Sequence, residues 1–591
     1  MSHLLSISLG PVQDFIASAR RTRDFWFGSY LLSELSKGAA RGLVDSGCCT
    51  IENLVFPAPA DREELARDSR LNVANKIVAI VSDPQKAAQA AGAEVDHVLD
   101  TLFHQATKEF RGCPGFDEEA ARLQIRDLVE FYWASIPQTG NWVSDRARVE
   151  ALLAARKNLR DFGPVRWGSN RPKASLDGQR ETVLVLGEFL NSLPNEAARQ
   201  RFVRRHRLRQ GETLCAVSML KRCGARGHEE AQFLSTAHVA ALSSLQHLDS
   251  SARPALKKFL DVLADLGLDD EQLSRIPEDF HHPFLGNLDG QFLFEGRLEA
   301  LFEDRQAANE ARRALKALRR EVGLRPPSPY YAILRADGDR MGVAIDAIDS
   351  AAGHREFSRT LAGFAHQAGD IVRQHQGAQV YAGGDDVLAL LPVTRVLDCA
   401  VALSREFAAR LGSFGREGQR PSLSVGVSVV HHSDPLGDAL ELAHRMEREA
   451  KKQRNSLAVG VDKRSGSEVF AVGPWGTVDV RLPRWVQLLA SDALPHGAAY
   501  ELRQLVVSLG ERRQPPKGLV ESEARRVLMR KRPERGREKI QEELVQELLA
   551  NLSSDGSEAD AILRRAREIL VAGVFREAAA VSPQRAQEVK R

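Results

Sequence analysis

YYAILRADGDRMG at residues 330–342 and YAGGDDVLALLP at residues 381–392 decide how this chain is read. In the first, an apolar run ends at Ala336, and Asp337 and Asp339 follow on the same side because side chains alternate along an extended chain. In the second, two glycines separate a strand ending at Tyr381 from one starting at Val387, which puts Asp385 and Asp386 at a compact hairpin tip. If the two strands are neighbours in one sheet, as a βαββ order requires, Asp337 and the GGDD carboxylates converge on one edge and can hold two Mg²⁺ (or Mn²⁺) ions. Hard oxygen ligands suit such ions, and a pair about 4 Å apart activates a hydroxyl nucleophile while stabilising a departing pyrophosphate. The glycines let a triphosphate come close to the backbone. Without cations the clustered carboxylates would repel one another and titrate high. The pattern predicts two-metal nucleotidyl transfer carried by Asp337, Asp385 and Asp386. The competing reading, a plain hairpin turn plus an Asx-type turn, is disfavoured by the order, separation and strand contexts of the two motifs together.

Around these segments the chain reads as strand 330–336, helix 355–376, strand 378–382, the GGDD turn, strand 386–391, helix 395–411, strand 422–430, helix 435–452 and strand 456–461. This is βαββαβ with an extra pair, preceded by the punctuating RPPSP at 325–329 and followed by GPWG at 473–476. The same order opens the chain: strand 4–9, a break at Gly10-Pro11, one helix over 12–43, strands 53–56, 76–81 and 128–136, and a long helix over 84–110. A duplication is a hypothesis resting on this shared topology. Amphipathic stretches such as RARVEALLAARKNL and EARRALKALRREV fill the middle, and the chain beyond 473 is helical with a basic stretch, ARRVLMRKRPERGREK. The expected architecture is α+β and multidomain: a first ferredoxin-like βαββαβ domain at 1–144, a mainly helical middle at 145–324, a second ferredoxin-like domain at 325–472 and a C-terminal α-helical domain at 473–591.

Bulk composition agrees with several folded domains, since 591 residues far exceed the ~250–300 at which one hydrophobic core stops growing. Hydrophobic residues at 43% and charged residues at 27% exclude a fibrous or largely disordered chain. With 82 Lys and Arg against 79 Asp and Glu, any nucleic-acid surface must be local. Six cysteines make no disulfide framework and fit a reducing compartment, so a cytoplasmic location is expected. The N-terminus lacks a signal peptide and no run of ~20 apolar residues occurs, so a soluble protein without a membrane partner is expected.

Several motifs in order, GPVQDFIASARRTRDFWFGSYLLSE (10–34), GETLCAVSMLKR (211–222), FLSTAHVAA (233–241), the two metal motifs and LSVGVSVVHHSDPLGDALELAHRMEREAKK (423–452), make the chain resemble the large palm-containing subunit of type III CRISPR RNA-guided effector complexes, in the Cmr (type III-B) branch. The resemblance implies two palm domains, the second similar to GGDEF-type cyclases, and synthesis of cyclic oligoadenylates from ATP when target RNA is bound, in antiviral defence. It implies other Cmr subunits, guide RNA and target RNA as partners. By the family pattern Asp337, Asp385 and Asp386 bind metal, with Asp339 a further metal ligand, and Gly383 and Gly384 accommodate the nucleotide. Lys451 or Lys452 would reach the triphosphate, the alternative being that both complement a helix C-terminus. The first palm would hold a second ATP near Gln13 and Arg20, where the alternative is a solvated helical face.

The chain departs from the family in two ways. It contains no His-Asp dipeptide, so no HD-type nuclease is expected. Where relatives carry Cys-x-x-Cys it has Cys215-Ala-Val-Ser218, and Cys215, Cys223, His206 and His228 do not assemble a zinc set, so buried thiols are expected. The basic runs at 201–210 and 524–532 are candidate RNA-phosphate contacts or solvated faces. A catalytically silent RNA-binding scaffold, a free-standing GGDEF-like dinucleotide cyclase and a primer-extending polymerase are the competing functions. The intact aspartates, the two unlike palms and the lack of fingers and thumb patterns, respectively, argue against them.

Overall fold

In a computed structural model, which describes residues 2–579 except 160–163, 207, 209–210, 225–233, 269–272, 274–275, 303, 417, 465, 511–515, 517, 533–539 and 551–556, the chain opens with β1 (His3–Gly10), buried from Leu4 to Leu9. Burial on both faces suits a central strand, and β1 lies inside an antiparallel sheet ordered β2 (Leu54–Phe56), β3 (Lys76–Val81), β1, β4 (Glu130–Pro137). One face packs against α1 (Gln13–Ala17), α2 (Thr22–Asp45), α3 (Pro84–Thr107) and α4 (Glu118–Arg126). Asp83 starts α3 by accepting from the Gln85 and Lys86 amides, with Pro84 in the first turn. The other face, including Leu4, Val78 and Ile136, packs against Trp142, Val149 and Leu153 of α5 (Trp142–Asn158). The expected domain boundary after 144 therefore falls inside a helix of the first unit. The single helix expected over 12–43 is two helices, because side chains 221 and 222 engage groups at residues 15, 18 and 24 of the joint.

The helical middle divides. Phe189 of α6 (Leu186–Ser192), Phe202 of α7 (Glu196–Arg205) and Leu220 of α8 (Ala216–Cys223) join the core of the first unit. After α9 (Thr236–Leu242), a separate core forms from Phe259 and Leu263 of α10 (Arg253–Asp265), Leu298 of α11 (Glu295–Glu299) and Leu315 of α12 (Arg305–Glu321).

The second sheet is ordered β10 (Val469–Pro474), β9 (Ser456–Val461), β8 (Ser422–His431), β5 (Tyr330–Asp339), β7 (Asp386–Leu391), β6 (Ala378–Gly383). Its run β8-β5-β7-β6 repeats the first sheet's β4-β1-β3-β2, so the shared order of elements extends to strand arrangement. Ala332, Leu334, Ala336 and Ala389 face α14 (Ala351–Gln374), which follows the short α13 (Met341–Asp346), and α15 (Val393–Leu411). The alternate residues Tyr331, Ile333, Leu388 and Leu390 lie in the core that holds α16 (Leu436–Gln453) and the first unit. Strands β8 and β9 are parallel, and α16 is the crossover such a pair requires. The two α/β units meet where the Trp142 indole donates to His354 Nδ1 at 2.6 Å and Arg355 donates to the Ile51 carbonyl at 2.8 Å.

The C-terminal helices α17 (Val478–Ala490), α18 (Gly497–Gly510), α19 (Leu519–Arg530), α20 (Glu542–Leu548) and α21 (Glu558–Ala579) share one core with the second sheet, through residues such as Leu482, Trp485 and Ile569. The boundary expected after 472 cuts β10. Among the described residues no helix is long and apolar enough to cross a membrane.

Candidate active site

Strand β5 runs through the DGD segment to Asp339, beyond the end expected at 336, because it pairs with β8 as far as Asp339↔Ser422. On its other side β7 pairs up to Ala336↔Val387, so the β6–β7 hairpin ends beside Asp337. Gly383 and Asp386 close that hairpin, and Gly384 takes a left-handed φ of +77°, where any side chain would be strained. Gly338 serves a second need. A Cβ there would lie 2.8 Å from both Cβ and Oδ2 of Asp385, so its absence lets the hairpin carboxylate lie against β5.

The structure therefore brings Asp337, Asp385 and Asp386 together at one end of the sheet. Burial, then the Asp337 charge and a hydrogen bond with Asp337, push the Asp385 carboxyl well above the usual carboxylate range. Burial, then Asp385 and Asp337, do the same for Asp386. Lys451, in the last turn of α16, forms an ion pair with Asp337 Oδ2 and donates to the Gly338 carbonyl at 3.1 Å. Its ammonium is the cation that balances Asp337, and among the described residues no three His, Cys, Asp or Glu side chains form a ready coordination shell. The donor set is nevertheless all carboxylate oxygen, the chemistry that suits Mg²⁺ or Mn²⁺.

Asp339, predicted as a metal ligand, is placed differently. It is buried, and its oxygens accept from Ser424 Oγ at 2.8 Å, Ser422 Oγ at 3.0 Å and the Asn455 amide at 2.8 Å. Those donors tie the end of β5 to β8 and to the turn before β9. Lys452 points away from the carboxylates, exposed and paired with Glu449 at 2.6 Å, because consecutive helical residues cannot share a face. Gln13 starts α1, and its side chain lies outside the described residues. Arg20 is exposed between α1 and α2 and was expected on a continuous helix.

Sequence reading missed Arg335. It is a single cation in an apolar strand, two residues before Asp337 and so on the same face, and that phase was the available signal. Its Nε lies 2.9 Å from Glu447 Oε2, and its charge opposes the upward shift of Asp386. Glu447 stands one turn before Lys451. Thus β5 presents a cation and then an anion, and α16 answers with an anion and then a cation.

Cys215 and Cys223 are buried free thiols, Cys215 capping α8 by accepting from the Ser218 amide, and His228 lies outside the described residues. In the basic C-terminal run, Arg525 pairs with Glu542 and Arg526 with Glu523. The run at 201–210 lies partly outside the described residues.

Comparison with known proteins adds two matched domains. Residues 4–111 match the family model described as CRISPR-associated protein Cmr2, N-terminal, and residues 330–458 match Cas10/Cmr2, second palm domain. The CRISPR system Cmr subunit Cmr2 of Pyrococcus furiosus is 25% identical over 568 residues, covering 81% of this chain and 63% of that protein, so the chain spans less than two thirds of its relative's length. Among solved structures, a type III-B Cmr-beta chain in the complex bound to cognate target RNA aligns with TM-score 0.61 and 14% identity over 91% of this chain and 79% of that one. The Cmr-beta apo state aligns with TM-score 0.58 and 14% identity over 92% and 78%. These likenesses are of fold.

Proposed function

We propose, from the premise that this chain belongs to the Cas10/Cmr2 family, that it is the large subunit of a type III-B CRISPR effector complex and makes cyclic oligoadenylate from ATP when target RNA is bound. The observation that carries this reading is the convergence of Asp337, Asp385 and Asp386 beside Lys451 at the end of β5. Asp337, Asp385 and Asp386 would hold two Mg²⁺ or Mn²⁺ ions, which supply charge stabilisation for an attacking hydroxyl and a departing pyrophosphate. Within the chain, Arg335 favours the anionic form of Asp386 against burial and its neighbouring carboxylates, Gly384 leaves the hairpin backbone open to the nucleotide, and Lys451 exchanges Asp337 for the triphosphate. Guide RNA, target RNA and the other Cmr subunits are the proposed partners, a reading supported by the fold shared with a Cmr-beta chain solved with target RNA.

Because Lys451 already balances Asp337, a silent RNA-binding scaffold is the second reading. Turnover of radiolabelled ATP by the reconstituted complex, with Mg²⁺ and cognate target RNA, separates them. Oligoadenylate that disappears in the Asp385→Ala, Asp386→Ala double variant supports the cyclase; no product from the intact, RNA-bound complex supports the scaffold.

A further inference from the structure

Strand β6 breaks its own alternation just before the GGDD turn. Ala378 and Val380 lie in the core that the first unit shares with α16, whereas Gln379 points the other way, beside Gly369 of α14. Plain alternation would send Tyr381 to the α14 side with Gln379. Instead the register against β7 slips: Gln379 faces Ala389, Tyr381 faces Leu388, and Val380 is one extra residue in β6. The bulge puts Tyr381 on the same side as Val380, packed against the same core, and returns Ala382 to the core of the other face. That is the side on which β5 presents Arg335 and Asp337 to α16.

The re-aimed ring lies across Gly383. A Cβ on Gly383 would be 2.6 Å from Cε2 of Tyr381 and closer still to Cζ and the hydroxyl. The hydroxyl itself donates to the Gly383 carbonyl at 3.4 Å. A planar ring packed against a core cannot swing aside as a long flexible side chain would, so the space beside Gly383 is already taken. Burial, then the charges of Asp386 and Asp385, push the phenol up, so it stays a neutral donor next to both carboxylates.

We propose that Tyr381 is the positioning residue of the GGDD hairpin: the bulge aims its ring across Gly383, the ring and hydroxyl hold the turn so that Asp385 and Asp386 meet Asp337, and residue 383 is glycine to admit this ring instead of a nucleotide. The effect on ATP turnover rests on the cyclase reading; the seating of the hairpin does not.

The test is a double-mutant cycle in the full chain, with Tyr381→Met, Gly383→Ala and the two combined. In the parent background Gly383→Ala forces Cβ into the ring and is expected to lower Tm in chelator by about 5 °C or more, and to weaken Mn²⁺ binding to the ATP-free protein about tenfold by calorimetric titration. In the Tyr381→Met background, where a flexible side chain gives way, the same change is expected to cost under about 2 °C and about twofold. Tyr381→Met alone is expected to speed hydrogen exchange at the Asp385 and Asp386 amides about tenfold and to weaken Mn²⁺ binding at least threefold or so. Tyr381→Leu, which also removes Cζ and the hydroxyl, is read in the same way if the Met variant does not fold. Equal losses from Gly383→Ala in both backgrounds, or a KM for ATP raised equally in both at unchanged Tm, return Gly383 to the nucleotide and overturn the proposal. Unchanged hairpin exchange and Mn²⁺ affinity in Tyr381→Met, with only Tm lowered, overturn it in favour of a plain core residue. If the parent binds no Mn²⁺ and makes no oligoadenylate, the cyclase reading fails by itself; the Tm cycle in chelator and the exchange rates then decide the role of Tyr381.

Discussion

Replacing Asp385 and Asp386 together by Asn removes two charges that burial, each other and Asp337 already disfavour. In the folded protein these carboxyls titrate well above the unfolded value near 4, so between about pH 4 and neutrality the native state binds protons that the unfolded chain does not. Stability of the metal-free protein therefore falls as pH rises through that window. At ~1.4 kcal/mol per pH unit, one proton shared by the pair and retained over about three units is worth ~4 kcal/mol. The Lys451 ammonium and partial exposure reduce this to ~2–3 kcal/mol. For a unit of this size, 1 kcal/mol shifts Tm by about 2–4 °C, giving an expected gain of about 5–10 °C. Scanning calorimetry in chelator should show the variant that much more stable than the parent at pH 8, with the difference closing as pH falls towards 4. Saturating Mg²⁺ should raise Tm for the parent alone. A variant no more stable than the parent at pH 8 would refute the claim that these carboxylates are held together against their own repulsion.

Four further outcomes follow from the same geometry. Lys451→Met leaves Asp337 without its counter-charge, so Mn²⁺ should bind the ATP-free protein several-fold more tightly by calorimetric titration while oligoadenylate synthesis falls about tenfold or more. Asp339→Ala strands the Ser422, Ser424 and Asn455 donors and should cost about 2–4 kcal/mol in denaturation while leaving Mn²⁺ affinity within about twofold; a lost metal site would make Asp339 a ligand after all. A double-mutant cycle of Arg335→Met and Glu447→Gln should give a coupling of about 1–2 kcal/mol by thermal denaturation, and additive losses would deny that the pair sets α16 on β5. Neutralising Arg525 and Arg526, both already ion-paired, should leave the salt dependence of RNA binding by the complex unchanged; a slope reduced by about one per residue would show phosphate contacts.

Much of the fold was legible because the signals were local. Alternation, the Gly-Gly hairpin and the Pro-rich punctuation located the strands of both sheets except β10, which the reading passed over, and the βαββ order placed β5 beside β7. The convergence of Asp337, Asp385 and Asp386 was legible from that order together with the family pattern. What escaped was tertiary. No local pattern around residues 12–43 announces that Lys221 will claim two of its carbonyls, so propensity favoured one helix where there are two. Alternation put Asp339 on the correct face, yet it is silent about the two serines of β8 that take its oxygens. Sequence spacing alone could not separate Lys451 from Lys452. Composition likewise set the domain limits after 144 and 472, whereas burial carries α5 back to the first sheet and β10 onward into the C-terminal helices.

The common core of the second sheet and the C-terminal helices bears on how this protein can be handled and regulated. Leu482, Trp485 and Ile569 are apolar side chains of the C-terminal helices that share the sheet's core, so the two halves made separately from a division near 475 should each be insoluble instead of forming two modules. A rigid joint of this kind also transmits force. A partner gripping α21 pulls on β10, and through four successive ladders of backbone hydrogen bonds that load arrives at β7, the strand on which Asp386 rides.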